Sequence, residues 1–275
     1  MAAELSQTFN ERVHVALADG VADVRLARPD KLNALDAGMF DALVAAGEAL
    51  TRQPGLRAVV LSGEGKGFCA GLDMSLFQSM ASGGGVLGDL KARSHGPANH
   101  AQHAVLVWRS LPVPVIAAVH GVALGGGLQI ALGADLRYVA PDARLSVLEV
   151  KWGLVPDMAG MALMRQLARA DVVRELTLTG RIFSGTEALA LGFATAVHDD
   201  PHAAALATAR EIAGRSPDAV RAAKRLLNLS DDAGLAAVLQ AESDEQSALI
   251  GSANQIEAVL AGVAKRPADF RDPPV

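Results

Sequence analysis

A chain of 275 residues with a formal net charge of −5 is a poor match for nucleic acid or an anionic membrane surface, both of which ask for clustered positive charge. Its single cysteine, Cys69, excludes an intramolecular disulfide and fits a reducing compartment. The composition, 51% hydrophobic and 20% charged, is that of a globular protein with a large core, and the opening MAAELSQTFNERV is not signal-like, so a soluble, cytoplasmic protein is expected.

Apolar and polar residues alternate in RVHVALADGVADVRLAR about Asp19-Gly20, which predicts a β-hairpin. Asp36 reads as the N-cap of a helix running to about Leu50. LRAVVLSG is a short buried strand, and PVPVIAAVHG another, with both prolines at its start where a missing N–H is tolerated. ADLRYVA and ARLSV are further short strands, so strands alternate with helices and the core is α/β. Residues 77–100 are polar, glycine-rich and without periodicity, and read as a loop, either a bare surface segment or a mobile wall of a binding site. The apolar stretch at residues 111–134 is broken by prolines, glycines and His120, so it does not read as a membrane span. From about Pro201 the sequence becomes four helical segments rich in alanine and leucine, too short of large residues for a good independent core. The chain therefore divides into an α/β part, residues 1–200, and a helical part, 201–275, that packs against it or against another subunit.

Three stretches carry chemistry: GEGKGFCAGLD (63–73), HGVALGGGLQ (120–129) and LSVLEVKWGLVPD (145–157). The first two are glycine-rich turns that each follow a buried strand and lead into a helical turn. Such turns leave backbone N–H groups unpaired at the positive end of a helix dipole, and two of them converging form an oxyanion hole. GEGKGF is not GxGxxG, the Gly125–Gly127 run lacks the spacing of a dinucleotide fingerprint, and no GxxxxGK[ST] or GxSxG pattern is present, so dinucleotide, P-loop and α/β-hydrolase readings find no support there.

The stretches RPDKLNAL, GKGFCAGLD and PVIAAVHGVALGGGLQIALGADLRYVAPDARLSVLEVKWGLVP resemble the crotonase, or enoyl-CoA hydratase/isomerase, superfamily from about residue 10 to the C-terminus. That resemblance implies an α/β crotonase (ClpP-like) spiral of ββα units followed by a helical trimerisation region, in a homotrimer or a dimer of trimers. It implies an acyl-CoA substrate, coenzyme A being part of the substrate and no separate cofactor or metal being needed. It places the oxyanion donors on the backbone N–H groups of Leu72 and Gly126.

In the hydratases of the family two glutamates hold the water and move protons, and their positions here are Gln129 and Glu149. An amide can position a water or substrate but cannot take a proton near pH 7. Asp157 alters the balance: the spacing in EVKWGLVPD resembles the glutamate–aspartate pair of the dienoyl-CoA isomerase branch, although that branch also carries an acid where Gln129 stands. The same position resembles the nucleophile of the aroyl-CoA dehalogenases, which lack a glutamate at Glu149. The plainer alternative for Asp157 is the N-cap of a helix over MAGMALMRQLAR. The expectation is an isomerase using Glu149 and Asp157. Its alternatives are a hydratase using Glu149 with a water held by Gln129, and a non-catalytic acyl-CoA-binding subunit.

By the same resemblance Arg28 and Lys31 run along the CoA, Ala34 and Ala70 flank its adenine through backbone atoms, and Lys265 and Phe270 belong to a tail that reaches a neighbouring subunit's CoA. A solvated turn is the plainer reading of Arg28 and Lys31. Cys69 reads as a buried small residue, His120 as a structural hydrogen-bonder, and Trp108 and Trp152 as core or pocket wall. His95, His100 and His103 read as a solvated loop rather than a metal site.

Overall fold

The computed structural model describes residues 5–82 and 89–273. Strands β1 (Leu5–Phe9), β2 (Val13–Ala18) and β3 (Val21–Leu26) pair antiparallel in succession. The predicted hairpin turns at Asp19 (φ 51°) and Gly20 (φ 77°), the two positive φ values that a two-residue turn between twisted strands requires. Asp36 caps α1 (Ala37–Thr51) by accepting the Met39 N–H at 2.8 Å. β4 (Ala58–Gly63), β5 (Val115–Val119), β7 (Leu136–Val139) and β10 (Ala196–Val197) then extend the sheet in parallel, to the order β1-β2-β3-β4-β5-β7-β10. A second sheet holds β6 (Val122–Leu124), β8 (Arg144–Ser146) and β9 (Phe183–Ser184), in the order β6-β8-β9.

Successive chain segments repeat one path. A strand of the large sheet is followed by a short extended piece that pairs with its counterpart in the next segment, and a helix follows. β5 leads through β6 into α4 (Gly126–Leu132); β7 leads through β8 into a 3₁₀ turn (Glu149–Trp152) and then α5 (Gly160–Met164). β4 leads through the Cys69 region, bridged in parallel to Ala123, into α2 (Met74–Ala81); Leu35 before α1 bridges Leu72. The helix entrances of consecutive segments are thereby stacked beside one another, and that column is where the site lies.

Strand periodicity sorts the core. Val59, Leu61, Val115, Ala117 and Val119 face a cluster shared with α1 and α3 (His100–Ser110). Ala58, Val60, Ile116 and Ala118 face the opposite side, against Ala205, Ala209 and Ala213 of α8 (Pro201–Ala213). Burying a side chain such as Val60 or Ile116 contributes about 1.5–3 kcal/mol. The first of the four C-terminal helices is thus the second cover of the sheet, so residue 200 marks a change in sequence character rather than a gap between cores. α9 (Pro217–Ser230) is anchored by Lys224, 4% exposed, whose Nζ donates to Val113 O at 2.8 Å and to Asp135 Oδ2 at 2.7 Å. α10 (Leu235–Leu249) buries none of its residues, and α11 (Ala253–Ala264) buries Asn254 and Ala261.

Two expectations are corrected. Residues 77–100 are not all loop: Phe77 to Ala81 belong to α2, capped by the Asp73 carboxylate, and His100 opens α3, whose N-cap Asn99 forms a reciprocal capping box with Gln102. Short polar residues that cap well also read as loop when only periodicity is weighed. Residues 83–88, within the same stretch, lie outside the described residues. The continuous helix over MAGMALMRQLAR is instead the five-residue α5, followed by turns and then α6 (Ala170–Thr179). A short helix, α7 (Gly185–Leu191), precedes β10. Among the described residues no helix is long and apolar enough to cross a membrane.

Candidate active site

The stacked helix entrances open onto a cavity of 630 Å³. Leu72, Gly126, Gln129, Glu149 and Asp157 all line it, so the chemistry expected from three separated stretches converges on one space. Lys31, Ala34 and Ala70 line it as well. Its remaining wall is mostly apolar, with Phe40, Met74, Phe77, Met80 and Leu90 facing Trp152, Leu154 and Val155. The Phe77 and Trp152 rings meet at a centroid distance of 4.8 Å, which makes Trp152 pocket wall, whereas Trp108 is fully buried core.

The glycine run in α4 has a separate reason at each position. Gly125 adopts φ 52°, ψ −118°, a backbone conformation that side chains rarely reach, and a Cβ there would come within 3.2 Å of Glu149 Oε1. A Cβ on Gly127 would lie 2.2 Å from the Cys69 carbonyl oxygen, so the helix entrance and the preceding segment touch backbone to backbone. At Gly126 a Cβ would press on Leu35 Cδ1 at 2.8 Å and Met158 Sδ at 2.9 Å. The Leu35–Leu72 bridge uses the Gly71 carbonyl and the Asp73 N–H, which leaves the Leu72 N–H pointing the other way. Among the described residues neither the Leu72 nor the Gly126 N–H donates to a protein acceptor. The two turns abut, since a Cβ on Gly71 would stand 3.7 Å from the Gly126 nitrogen. Unspent N–H groups from two abutting turns on one cavity are the geometry that stabilises a developing oxyanion.

Glu149 is 9% exposed and opens the 3₁₀ turn after β8. Its Oε1 accepts from Gln129 Nε2 at 2.7 Å, while its buried Oε2 has no hydrogen-bond partner. Burial pushes its carboxyl above the ordinary range, the Gln129 bond opposes that, and the negative charge of Asp157 adds to it. Burial likewise pushes Asp157 upward. Two carboxyl groups that share a cavity and both resist ionisation are suited to hold and pass protons.

The structure revises three expected roles. Gln129 was expected to orient a water or substrate, yet its amide is taken up by protein: Oε1 accepts from the Met158 and Gly160 N–H groups, each at 2.9 Å, and Nε2 donates to Glu149. At most one amide hydrogen remains for anything else. Asp157 does not cap a helix, because α5 begins at Gly160 after Ala159 and has no side-chain cap. Arg28 does not present a free cation to a ligand: its Nη1 donates to Asp73 Oδ2 at 2.5 Å and to the Ala34 carbonyl at 3.0 Å, and lies 3.5 Å from Asp36. Lys31, exposed on the cavity rim, has no ion pair among the described residues.

Lys265 and Phe270 lie away from this cavity; the Phe270 carbonyl accepts from Arg57 Nη2 at 2.9 Å beside an Arg57–Asp272 pair. Cys69 is buried and its thiol is pushed up to about 12 by burial, with Sγ donating to the Asn33 carbonyl at 3.1 Å, so it is structural. His120 bonds the Gly65 carbonyl at 3.0 Å, also as expected. Sequence reasoning missed Asp73, which caps α2, lines the cavity and holds Arg28. Its signal was its place as an Asp directly before a helical run.

The family model described as "Enoyl-CoA hydratase/isomerase" matches residues 17–273. The chain is 32% identical over 249 residues to the peroxisomal Delta(3,5)-Delta(2,4)-dienoyl-CoA isomerase of Arabidopsis thaliana, an alignment covering 88% of this chain and 90% of that protein. It is also 32% identical over 262 residues to the Mycobacterium leprae protein named "Probable enoyl-CoA hydratase", covering 94% of this chain and 99% of that one. The crystal structure of an enoyl-CoA hydratase from Bacillus anthracis matches with a TM-score of 0.84 at 27% identity, over 94% of this chain and 98% of the other.

Proposed function

Because the chain belongs to the enoyl-CoA hydratase/isomerase family, we propose that it shifts the double bonds of an enoyl- or dienoyl-CoA by proton transfer, with Glu149 and Asp157 as the proton-carrying pair. The observation that carries this reading is the placement of two carboxyl groups, both held above their ordinary range, on one cavity with the Leu72 and Gly126 N–H groups. Relatives named as isomerases and as hydratases match equally well, so the reading rests on the site.

Glu149 packs against Gly125, next to the oxyanion donor at Gly126, and so serves the carbon beside the thioester carbonyl. Its carboxylate removes a proton there, the electrons of the broken C–H bond form a C1=C2 double bond, and the carbonyl π electrons move onto the thioester oxygen. The two N–H groups stabilise the resulting enolate. For a 3,5-dienoyl thioester, Asp157 then gives a proton to C6, the enolate collapses, and the double bonds become C2=C3 and C4=C5. One proton leaves and one is added, so no water is consumed. Lys31 meets the phosphates of the CoA, and the backbone of Ala34 and Ala70 its adenine.

We also propose that the chain works as a homotrimer or a dimer of trimers. α10 buries nothing within the chain, and Val259, Leu260 and Val263 of α11 are 53%, 55% and 81% exposed. In such an assembly Lys265 and Phe270 would approach a neighbour's CoA.

Purified protein given 3,5-dienoyl-CoA should produce the absorbance of a conjugated 2,4-dienoyl thioester, and lose it in both Glu149→Gln and Asp157→Asn. Hydration with Glu149 and a Gln129-held water would instead carry oxygen-18 from labelled water into the acyl group, while tight CoA-ester binding without turnover would indicate a binding subunit. Either result removes the isomerase reading.

A further inference from the structure

A second cluster of chemistry-bearing side chains lies where α1, α3 and the turn before α3 meet. Glu48 projects from α1, His103 from α3 and His95 from the turn, and one ligand atom from each lies within 4.8 Å of the others. All three are half-buried. The His95 and His103 rings stack at a centroid distance of 4.2 Å with planes 15° apart. From this grouping we propose that Glu48, His95 and His103 form a binding site for a divalent ion of the zinc class, with water at the fourth position.

The donor set selects the ion. Two imidazoles and one carboxylate suit zinc, cobalt or nickel, whereas calcium and magnesium ask for oxygen. His103 Nε2 and Glu48 Oε1 are 3.4 Å apart. That is long for a hydrogen bond, but it is close to the edge of a tetrahedron with metal–ligand bonds of about 2.0–2.1 Å, which is about 3.3 Å. His95 sits on a surface turn, so adjustment of its side chain closes the third edge. A ligating histidine is normally oriented through its other ring nitrogen, and His95 Nδ1 is already 2.9 Å from Ser94 Oγ. His100 is engaged otherwise, 2.9 Å from Asp41.

The turn that carries His95 is closed by paired backbone bonds with Ala98, each 3.0 Å. The next residue, Asn99, donates through Nδ2 to the Leu90 carbonyl at 2.9 Å, and Leu90 lines the acyl cavity. An ion at Glu48, His95 and His103 would therefore pin a cavity wall to the α1–α3 pair, acting as a structural clamp. This assignment does not depend on which reaction the cavity performs.

The test uses the full chain without any histidine tag. Titration with Co²⁺ should give visible absorption bands of a four-coordinate site, and Zn²⁺ calorimetry a stoichiometry of one ion per chain. His95→Gln and His103→Gln should each weaken Zn²⁺ binding at least about tenfold, as loss of a ligand does, while His100→Gln leaves it within about twofold. Zn²⁺ should slow amide exchange over residues 89–99 in the unmodified protein but not in His95→Gln. Absence of the cobalt bands, or binding that survives the double His95→Gln/His103→Gln change, would overturn the assignment.

Discussion

Gln129 Nε2 donates to Glu149 Oε1 at 2.7 Å, and the other end of the same amide accepts the backbone N–H groups of Met158 and Gly160. Two fixed donors at the carbonyl end decide which way the amide faces, so the end presented to Glu149 is always the N–H₂. One glutamine thus joins α4, the 3₁₀ turn and the start of α5 around the Glu149 carboxylate. Gln129→Leu would strand two buried backbone N–H groups, at about 1–3 kcal/mol for each. It would also remove a bond that favours ionised Glu149. The expected outcome is a lower melting temperature and an acid limb of the pH–rate profile shifted to higher pH. Gln129→Glu replaces the donor by a like charge and should move that limb further still. A limb unmoved in both variants would show that Gln129 does not tune Glu149.

Ionised Asp157 raises Glu149, and burial raises both carboxyl groups. Asp157 carries its proton in the working form, so the equally neutral Asp157→Asn should leave the acid limb of any remaining activity in place, unlike the Gln129 variants, and remove the basic limb that ionisation of Asp157 sets. Glu149 would still take its proton, so Asp157→Asn should catalyse deuterium exchange beside the thioester carbonyl without completing isomerisation. Glu149→Gln should lose both exchange and isomerisation, by at least about 10²-fold, the usual contribution of a general base. Exchange that persists in Glu149→Gln would assign the first proton transfer elsewhere.

Neighbouring glycines should fail differently. A Cβ on Gly127 meets a backbone carbonyl at 2.2 Å, which cannot give way, so Gly127→Ala should fail to accumulate as folded protein. A Cβ on Gly126 meets the ends of Leu35 and Met158, side chains that can shift at a cost of about 1–3 kcal/mol. Gly126→Ala should therefore fold with a lowered melting temperature and lose activity, because the added methyl crowds the approach to its own N–H. Circular dichroism melts and turnover on the same preparations separate the two outcomes.

Much of this site was legible because it depends on residues whose type announces the job. The paired glycine turns stand in local sequence where chemistry and spacing pick them out, whereas Glu149 and Asp157 were picked out by the resemblance of EVKWGLVPD to the crotonase superfamily. Arg28 and Gln129 were legible as residues but not as roles. The partners that decide those roles lie 45 residues away at Asp73 and 29 to 31 residues away at Met158 and Gly160, and no local pattern encodes such a meeting. In the fold, long alternating or apolar strands and the Asp36-capped α1 were visible, whereas the capped starts of α2 and α3 and two-residue strands such as β9 and β10 were not. They are extended only because a neighbouring strand is there to pair with them. The histidines at 95, 100 and 103 show the same limit, since their acidic partners come from α1.

The Arg28–Asp73 pair separates stability from ligand grip. Asp73 Oδ1 accepts the Ser75 N–H at 2.8 Å and its Oδ2 takes Arg28 Nη1, and the Ser75 bond, more than the arginine, holds the carboxyl at about 2 despite its burial. A carboxyl depressed in the folded state contributes stability that is complete above its ordinary value near 4 and is lost as pH falls through about 2. Melting temperature should therefore decline across that window, and Asp73→Asn should flatten the decline while lowering the plateau at neutral pH. Arg28→Ala should cost about 1–3 kcal/mol, the scale of hydrogen bonds to a charged group, and shrink the acid-dependent part without abolishing it, because the Ser75 bond remains. Since the Arg28 guanidinium is occupied by Asp73, Asp36 and Ala34, its loss should leave KM for a CoA ester within about twofold once the protein is folded. Lys31→Ala should do the reverse, leaving the melt unchanged and raising KM most at low salt, where an exposed cation attracts phosphate best. Were Arg28→Ala to raise KM with an unchanged melt, Arg28 would be a ligand contact after all, and its ties to Asp73 and Asp36 would have to open when CoA binds.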